Sequence, residues 1–220
     1  MRIRDYTLVD LPYLYDICVR TGDCGGDARS LFSDSCLPGQ YYAAPYAACD
    51  QRCVLVLEGE VPGGTRPLGY ILGTPDTRAY QSWFDSHWRL AAASLYCATA
   101  DAGLHRTIQD STDTVDMKNT PYSAEEARIR SLFIHPFDDL PPLLLEYPGH
   151  IHIDILPAGQ GAGWGRLLMD AFCERLRSLG CPGFHLGVDK RNPGGIAFYH
   201  RYGMKVLQEP EWGIVFGQRL

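Results

Sequence analysis

The most informative segment of the chain is Ile155-Leu156-Pro157-Ala158-Gly159-Gln160-Gly161-Ala162-Gly163-Trp164-Gly165, in which a strand pattern gives way to a helix across four glycines. Glycine allows successive main-chain N–H groups to turn towards one point. The start of the helix adds a partial positive charge at the same place. These two features predict an anion site that suits a pyrophosphate.

Two other glycine-rich motifs fit this segment less well. The phosphate loop of nucleoside triphosphatases ends in Gly-Lys-Ser/Thr, whereas Gly165 is followed by Arg166 and Leu167. The dinucleotide motif G-x-G-x-x-G requires a third glycine where this chain has Arg166. Asp189 partly supplies the acidic residue that a dinucleotide site needs on a later strand, so a nucleotide-binding protein stays open as an alternative.

Strand and helix patterns alternate on both sides of this loop. The C-terminal third predicts strands at 150–156, 183–188, 204–207 and 213–216, and helices at 163–179 and 193–202. The N-terminal part predicts strands at 1–6, 53–57 and 68–73, a turn at 59–67, a helix that opens at Asp10, and irregular surface at 21–48. A length of 220 residues is compatible with a single α/β domain over 1–220.

A long segment, residues 74–148, separates the strand at 68–73 from the strand at 150–156. Helical spacing of apolar residues predicts helices at 78–96 and 123–134. The aromatic residues of the first helix are typical of a packed core. As an insertion between two strands, the segment is also placed to lie over a substrate site as a lid.

Charge is unevenly distributed along the chain. The formal net charge is −6, but residues 157–206 carry a local +4 and the remainder −10. This division suits an anionic ligand on the C-terminal third and a cationic substrate facing the rest, although solvated surface charge explains it equally well. A nucleic-acid-binding protein would show a stronger basic field, so we expect no nucleic-acid partner.

The sequence predicts a cytoplasmic protein. It contains no apolar run long enough to span a membrane, and residues 1–6 lack the apolar stretch of a secretory signal. The eight cysteines are scattered, which favours free thiols. Cys49 and Cys53 have no second pair at zinc-site spacing, so we expect no metal site.

Three motifs in order resemble those of the GNAT (GCN5-related N-acetyltransferase) superfamily. The run Gln160-Gly161-Ala162-Gly163-Trp164-Gly165 is similar to its (Arg/Gln)-x-x-Gly-x-(Gly/Ala) signature, and Ile155-x-Pro157 has its upstream spacing. Asn192, Tyr199 and Tyr202-Gly203-Met204 resemble its downstream segment. Gly195 and Met204 replace the usual alanine and phenylalanine. The resemblance implies a GNAT fold, with a central mixed, twisted sheet flanked by helices and a helical insertion between the third and fourth strands.

Most of the chain also resembles a narrower group, the bacterial relatives of the acetyltransferase-like C-terminal domain of eukaryotic O-GlcNAcases. The segments that carry this resemblance are Cys53-Val54-Leu55-Val56-Leu57-Glu58, Leu68-Gly69-Tyr70-Ile71-Leu72-Gly73-Thr74, Tyr147-Pro148, Ile151-His152-Ile153-Asp154-Ile155 and Val215-Phe216-Gly217. The eukaryotic domains look degraded at the pyrophosphate loop, whereas this chain keeps every glycine there.

The family resemblance implies acetyl-CoA as co-substrate and a set of residues that bind it. The implied cofactor-binding residues are Ile153, Ile155, Leu156, Gln160, Gly161, Ala162, Gly163, Trp164, Gly165, Asn192 and Tyr199. The amides of 161–165 would hold the pyrophosphate, and the main chain of Ile153 and Ile155 would pair with pantetheine. A main-chain N–H near Ile155 could polarise the thioester carbonyl. Tyr199 would protonate the departing thiolate, and Asn192 would cap a helix and orient the cofactor.

The group that takes the proton from the amine is ambiguous. His150, His152 and Asp154 alternate along one strand, so they share one face of it. In better-known members of the family the substrate-facing positions would correspond to Gly149 and Ile151. The histidines fit a hydrogen-bonded structural cluster as well as a general base. Asp154 is the preferred catalytic candidate, because an acid in this strand needs a partner or a task, while His152, His150, Glu146 and water stay open.

The sequence therefore predicts an acetyl-CoA-dependent N-acetyltransferase whose acceptor is a primary amine, small or peptidic, attacking the thioester directly. The alternative is a module that binds acetyl-CoA or a partner but catalyses nothing. The sequence does not fix the oligomeric state.

Overall fold

A computed structural model of the chain describes residues 1–97, 122–134 and 142–220. The described strands form one sheet in the order β1-β2-β3-β4-β5-β7-β6. Their bounds are β1 (Arg2–Asp5), β2 (Val54–Val61), β3 (Gly64–Thr74), β4 (Gly149–Ile155), β5 (Gly183–Asp189), β6 (Lys205–Gln208) and β7 (Gly213–Arg219).

The sheet is mixed, as predicted. All neighbouring strands pair antiparallel except β4 and β5, which pair parallel. The parallel pairing is confined to Gly149 with Phe184 and His150 with His185. Beyond these residues the two strands part, which leaves a cleft between the C-terminal halves of β4 and β5.

Helices lie on both sides of this sheet. Their bounds are α1 (Leu11–Thr21), α2 (Leu37–Tyr42), α3 (Ala44–Cys49), α4 (Thr77–Trp83), α5 (Leu90–Cys97), α6 (Ala124–Ile134), α7 (Trp164–Ser178) and α8 (Pro193–Tyr202). Helices α4, α5 and α6 belong to the segment between β3 and β4. The predicted helical insertion between the third and fourth strands is therefore confirmed.

Side chains at alternating positions of the strands contribute to two separate hydrophobic clusters, one on each face of the sheet. Val56, Tyr70 and Leu72 point to the face that α1 to α6 cover. Leu57 and Ile71 point to the opposite face, which α7 and α8 cover. Because both faces are covered, β2 reads as a nearly continuous apolar run instead of an alternating one.

Helix α7 follows the glycine-rich segment directly and holds it against the sheet. Its buried side chains recur at helical spacing: Leu168, Met169, Phe172, Cys173 and Leu176. Gly180 ends the turn after the helix with a φ of 77°.

The prediction of irregular surface at 21–48 is wrong for its second half. Helices α2 and α3 occupy this stretch, and Leu37, Ala43 and Tyr46 are buried. Each helix has only six residues, which is too short for an apolar period to show in the sequence. Pro38 and Pro45 lie in their first turns, where a missing N–H costs nothing.

The turn predicted at 59–67 is much shorter in the structure. Strands β2 and β3 continue to Val61 and from Gly64, and the reversal takes place at Pro62 and Gly63. Gly63 and Gly64 have φ values of 98° and 125°, which only glycine adopts without strain. The polar residues around the turn were mistaken for loop because this end of the hairpin is exposed.

The helix predicted at 78–96 is confirmed, with one irregularity. A π-helical turn at Phe84–Arg89 connects α4 to α5. Such turns occur often at functional sites. None of the helices that the structure describes combines the length and the apolarity needed to cross a bilayer.

Candidate active site

The glycine loop, residues 159–165, has a backbone that ordinary side chains rarely adopt. The φ values of Gly161, Ala162 and Gly163 are 79°, 47° and 81°. Three successive left-handed residues turn their N–H groups in a way that a regular strand or helix does not allow. Gly163 is also the residue immediately before α7, so the loop meets the positive end of that helix.

The main-chain donors of this loop are available to a ligand. The N–H groups of Gly161, Ala162 and Gly163 have no hydrogen-bond partner among the residues that the structure describes. A carbon added to Gly161 or Gly163 would meet nothing within 4 Å. The glycines are therefore required by the backbone conformation and not by crowding, and the space in front of the loop is open.

Two further residues of the loop are fixed by packing. A Cβ on Gly159 would lie 2.9 Å from Ile155, and one on Gly165 would lie 3.2 Å from Phe198 of α8. The Gln160 side-chain amide donates to the carbonyl of Ile155 at 2.8 Å. These contacts hold the loop against the end of β4. Trp164 is partly buried at the start of α7.

The edge of β4 that faces the cleft presents free main-chain groups. The N–H of Leu156 donates to Leu68 of β3 at 2.8 Å. Because N–H groups alternate along an antiparallel strand, those of Ile153 and Ile155 point away from β3 and towards the cleft. Of the three strand residues expected to bind the cofactor, Ile153 and Ile155 thus offer their main chain there, while Leu156 uses its own in the sheet.

Helix α8 supplies the other two expected residues. The Asn192 side chain accepts from the N–H of Gly195 at 2.8 Å, which confirms its predicted role as a helix cap. Tyr199 is only 9% exposed and its ring packs against Phe198 and Phe216. Burial and the charge of Asp154 raise the pKa of Tyr199, so its hydroxyl stays protonated at neutral pH.

Asp154 lies on the face of β4 opposite the one that packs on α7. Its carboxylate accepts from the Tyr70 hydroxyl at 2.6 Å. Burial raises the pKa of Asp154, and the hydrogen bonds from Tyr70 and Thr21 act in the opposite direction.

A cavity of about 250 Å³ opens beside the cleft, on the face that the insertion covers. We call it the aromatic cavity. It is lined by Tyr41, Tyr42, Tyr46, Thr77, Tyr80, Gln81, Phe84, His150, Ile151, His152, His185, Leu186 and Gly187. The walls thus come from α2, α3, α4, the π-helical turn, β4 and β5. Asp154 is not among these residues.

The histidines of the cavity form a hydrogen-bonded cluster, as predicted. The Tyr46 hydroxyl lies 2.7 Å from Nε2 of His150 and 3.0 Å from Nε2 of His152. The Thr77 hydroxyl donates to the carbonyl of Pro148 and lies 2.8 Å from Nδ1 of His150.

These contacts assign the ring protons. Since the Thr77 hydroxyl has one hydrogen and gives it to Pro148, Nδ1 of His150 must be the donor towards Thr77. Nε2 of a neutral His150 then accepts from Tyr46, and the Tyr46 oxygen accepts from Nε2 of His152. The chain of hydrogen bonds leaves Nδ1 of His152 unprotonated.

The same environment keeps the histidines neutral. Burial lowers the pKa of His152 to about 4, with a further contribution from His185. The pKa of His150 is held well below its usual value by burial and by the two neighbouring imidazoles. Burial also lowers the pKa of His185, whose Nδ1 donates to the carbonyl of Tyr147 at 2.9 Å.

A family model for the GNAT acetyltransferases matches residues 123–204, which include the glycine loop, β4, β5 and α8. The chain also superposes on the crystal structure of SsHAT with a TM-score of 0.79 and 28% sequence identity, over 99% of this chain and 97% of that one. The chain is thus similar to the GNAT acetyltransferases over residues 123–204 and shares the GNAT fold. These matches support acetyl transfer as a general activity.

Two more distant structures share the GNAT fold. An N-acetyltransferase from Staphylococcus aureus Mu50 matches with a TM-score of 0.55 and 15% identity, over 99% of this chain and 98% of that one. A GNAT superfamily phosphinothricin acetyltransferase from Sinorhizobium meliloti, solved in complex with AcCoA, matches with a TM-score of 0.52 and 11% identity, over 100% and 88%. The narrower resemblance to the O-GlcNAcase-associated domains stays a prediction.

The remaining base candidate lies outside the cavity. Glu146 is exposed and forms an ion pair with Arg219 on β7. The seven cysteines whose side chains the structure describes are free thiols. In residues 1–97, 122–134 and 142–220, no group of His, Cys, Asp and Glu is arranged to hold a metal ion.

Sequence reasoning missed most of the wall of the aromatic cavity. No sequence motif indicated five of the lining residues, which are Tyr41, Tyr42, Tyr46, Thr77 and His185. They come from chain segments that only the fold brings together, and nothing in their local spacing indicated a common site. The alternation of His150 and His152 was the one local signal.

Proposed function

We propose that this protein transfers the acetyl group of acetyl-CoA to a primary amine by direct attack of the amine on the thioester. The observation that carries the proposal is the combination of three main-chain donors that are unpaired among the described residues, at Gly161, Ala162 and Gly163, with the aromatic cavity beside β4 and β5. Acetyl-CoA supplies the activated acetyl group.

The residues of the loop and the strand would bind the cofactor. Of the amides at 161–165, that of Trp164 donates to the carbonyl of Gly161. The unpaired N–H groups of Gly161, Ala162 and Gly163 would hold the pyrophosphate beside the start of α7, with Gln160 at its border. The main chain of Ile153 and Ile155 would pair with the pantetheine amides as an added strand does, with the Ile155 carbonyl shared with the Gln160 side chain. Since Leu156 bonds to Leu68, its part would be limited to shaping the strand end.

Three side chains would handle the protons. As the nitrogen of the amine bonds to the acetyl carbon, the bond between carbon and sulfur breaks and its electron pair stays on sulfur. Tyr199 would donate its proton to that sulfur, a role that fits a hydroxyl kept protonated by its surroundings. The proton lost by the amine would go to Asp154 or to Nδ1 of His152. A main-chain N–H near Ile155 would donate to the thioester carbonyl.

The two base candidates make different predictions. Asp154 has a raised pKa and lies next to Tyr70, whereas His152 lies on the cavity wall and offers an unprotonated nitrogen. Replacing Asp154 by Asn and His152 by Gln, each nearly isosteric, separates them. The variant that loses turnover while it still binds acetyl-CoA identifies the base.

The experiment for the whole proposal is calorimetry with acetyl-CoA, followed by a thiol-release assay over a panel of amines. Binding with amine-dependent release of CoA supports the proposal. Binding without turnover on any amine, and no effect of Tyr199→Phe, would instead support a module that only binds the cofactor. Competition by ATP or NAD but not by CoA would indicate a nucleotide-binding protein.

A further inference from the structure

The aromatic cavity has a composition that restricts the chemistry of the acceptor. Four tyrosines and one phenylalanine contribute to its walls, together with Ile151, Leu186 and three histidines. Of the described residues that line it, none is an aspartate, glutamate, lysine or arginine. The cavity therefore offers apolar contact and neutral hydrogen-bonding groups, and no counter-charge for a bound cation.

The carboxylate that follows these histidines on the same face of β4 is already engaged. Asp154 lies two positions beyond His152 on β4 and accepts from Tyr70. The excess of acidic residues outside 157–206 predicted a cationic substrate. None of the described residues that line the cavity is acidic, so its walls do not favour that expectation.

The aromatic rings do not form a cage around a cation either. The rings of Tyr46 and Tyr80 stack on each other at 4.4 Å, and Tyr80 stacks in turn on Phe84 at 6.0 Å. The ring faces that would attract a cation are thus partly covered by neighbouring rings. Edges and hydroxyl groups remain to contact a ligand.

Positive charge is unfavourable in this part of the molecule. The pKa values of His150, His152 and His185 are all lowered, and burial is the main cause in each case. An ammonium group would meet the same loss of hydration. A base as weak as His152 would also be unable to deprotonate an alkylammonium ion, although it can accept a proton from a nitrogen that is forming a bond to a carbonyl carbon.

We propose that the acceptor is a weakly basic amine of single-ring size, an arylamine by chemical class, which enters the aromatic cavity as the neutral free base. This inference rests on the proposed function. A cavity of about 250 Å³ lies below the range of drug-sized sites, and it suits one ring with its amine. The tyrosine edges provide the contacts that aromatic ligands prefer.

The test uses three amines of similar size. Aniline is aromatic and neutral at neutral pH, benzylamine is aromatic and charged, and cyclohexylamine is aliphatic and charged. Calorimetric titration of each amine into the CoA-free protein measures binding without turnover. The thiol-release assay with acetyl-CoA then measures kcat/KM. We expect aniline to bind. Its kcat/KM should exceed that of both charged amines by about tenfold or more, because the free-energy penalty of burying an unpaired ammonium corresponds to at least that ratio.

A variant on the cavity wall reverses this preference. Gln81→Glu adds a carboxylate of nearly the same shape beside the cavity. Gln208→Glu makes the same change at an exposed position on β6, away from the cavity. We expect Gln81→Glu to raise the benzylamine-to-aniline ratio of kcat/KM about tenfold, because it supplies the missing counter-charge. Gln208→Glu should leave that ratio unchanged.

The outcomes separate this inference from the proposed function. Benzylamine or cyclohexylamine used better than aniline by the wild-type protein would overturn the inference while leaving acetyl transfer intact. An equal effect of Gln81→Glu and Gln208→Glu would also overturn it. If acetyl-CoA does not bind at all, the proposed function fails and the inference fails with it.

Discussion

Main-chain atoms build the glycine loop, whereas side chains build the aromatic cavity. The loop comes from one continuous stretch, 159–165, and its geometry depends on three residues with positive φ. The cavity is assembled from segments around residues 41–46, 77–84, 150–152 and 185–187. The difference suggests a division of labour, in which a locally encoded loop binds the part of the substrate pair common to the family and a fold-encoded cavity selects the acceptor.

The largest expected effect concerns a side chain of α8 that belongs to neither region. Tyr199→Phe removes the hydroxyl proposed to protonate the leaving sulfur, and we expect kcat to fall by about 10²- to 10⁴-fold with little change in acetyl-CoA affinity. Tyr202→Phe on the same helix is the matched control, since its hydroxyl bonds to Asp170 on α7. Equal kcat values for the two variants would remove Tyr199 from the chemistry.

The second effect tests whether the loop works through its backbone. Gly163→Val places a branched side chain at a φ of 81°, and Gly180→Val does so at 77° after α7, with open space around both residues. Both variants should lose similar stability, because the backbone strain is the same. Only Gly163→Val should weaken CoA binding, by about tenfold or more. Calorimetry and thermal unfolding measure the two quantities.

A third effect belongs to the cavity and appears in the pH dependence of stability. The folded state lowers the pKa of His152 from 6.5 to about 4, so the unfolded chain binds more protons between these values. Stability contributed by neutral His152 is present above pH 6.5 and is lost as the pH falls towards 4. His152→Gln lacks this titrating group, so between pH 6.5 and 4 it should lose less stability than the wild type, by on the order of 1 kcal/mol.

This comparison must account for other groups that titrate in the same range. His150 and His185 act in the same direction as His152, and Asp154, whose pKa is raised, acts in the opposite one. These contributions cancel to first order when the unfolding free energies of the variant and the wild type are subtracted at each pH. Parallel curves for the two proteins between pH 6.5 and 4 would show that His152 is not held neutral.

The smallest effect concerns the side chain that borders the loop. Gln160→Ala removes an exposed hydrogen bond to Ile155 and leaves the backbone donors in place. We expect CoA affinity to fall less than about fivefold. A loss as large as that of Gly163→Val would mean that side-chain contacts, and not main-chain donors, dominate cofactor binding.

The contrast between the glycine loop and the aromatic cavity also explains what could be predicted from the sequence. The glycine loop, the helix that follows it and the cap at Asn192 are encoded in adjacent residues, so their local patterns were sufficient. The apolar run of β2 and the insertion between β3 and β4 were also legible, because burial on both faces and element order leave direct traces in the sequence.

The cavity could not be predicted in this way. Tyr46 lies in a six-residue helix that has no visible period, yet it bridges His150 and His152, more than a hundred positions away. The face on which these histidines would meet their partners depends on which side of the sheet the insertion covers. The alternation of side chains along a strand defines two faces, but it does not indicate which of them the insertion covers.

Amide hydrogen exchange in the presence and absence of CoA tests the central claim most directly, because it observes the loop main chain itself. The account predicts that CoA slows exchange at Gly161, Ala162 and Gly163, together with Ile153 and Ile155, and that Gly163→Val abolishes this protection. Unchanged exchange at the loop when CoA is saturating, or protection confined to residues outside the loop and β4, would contradict it.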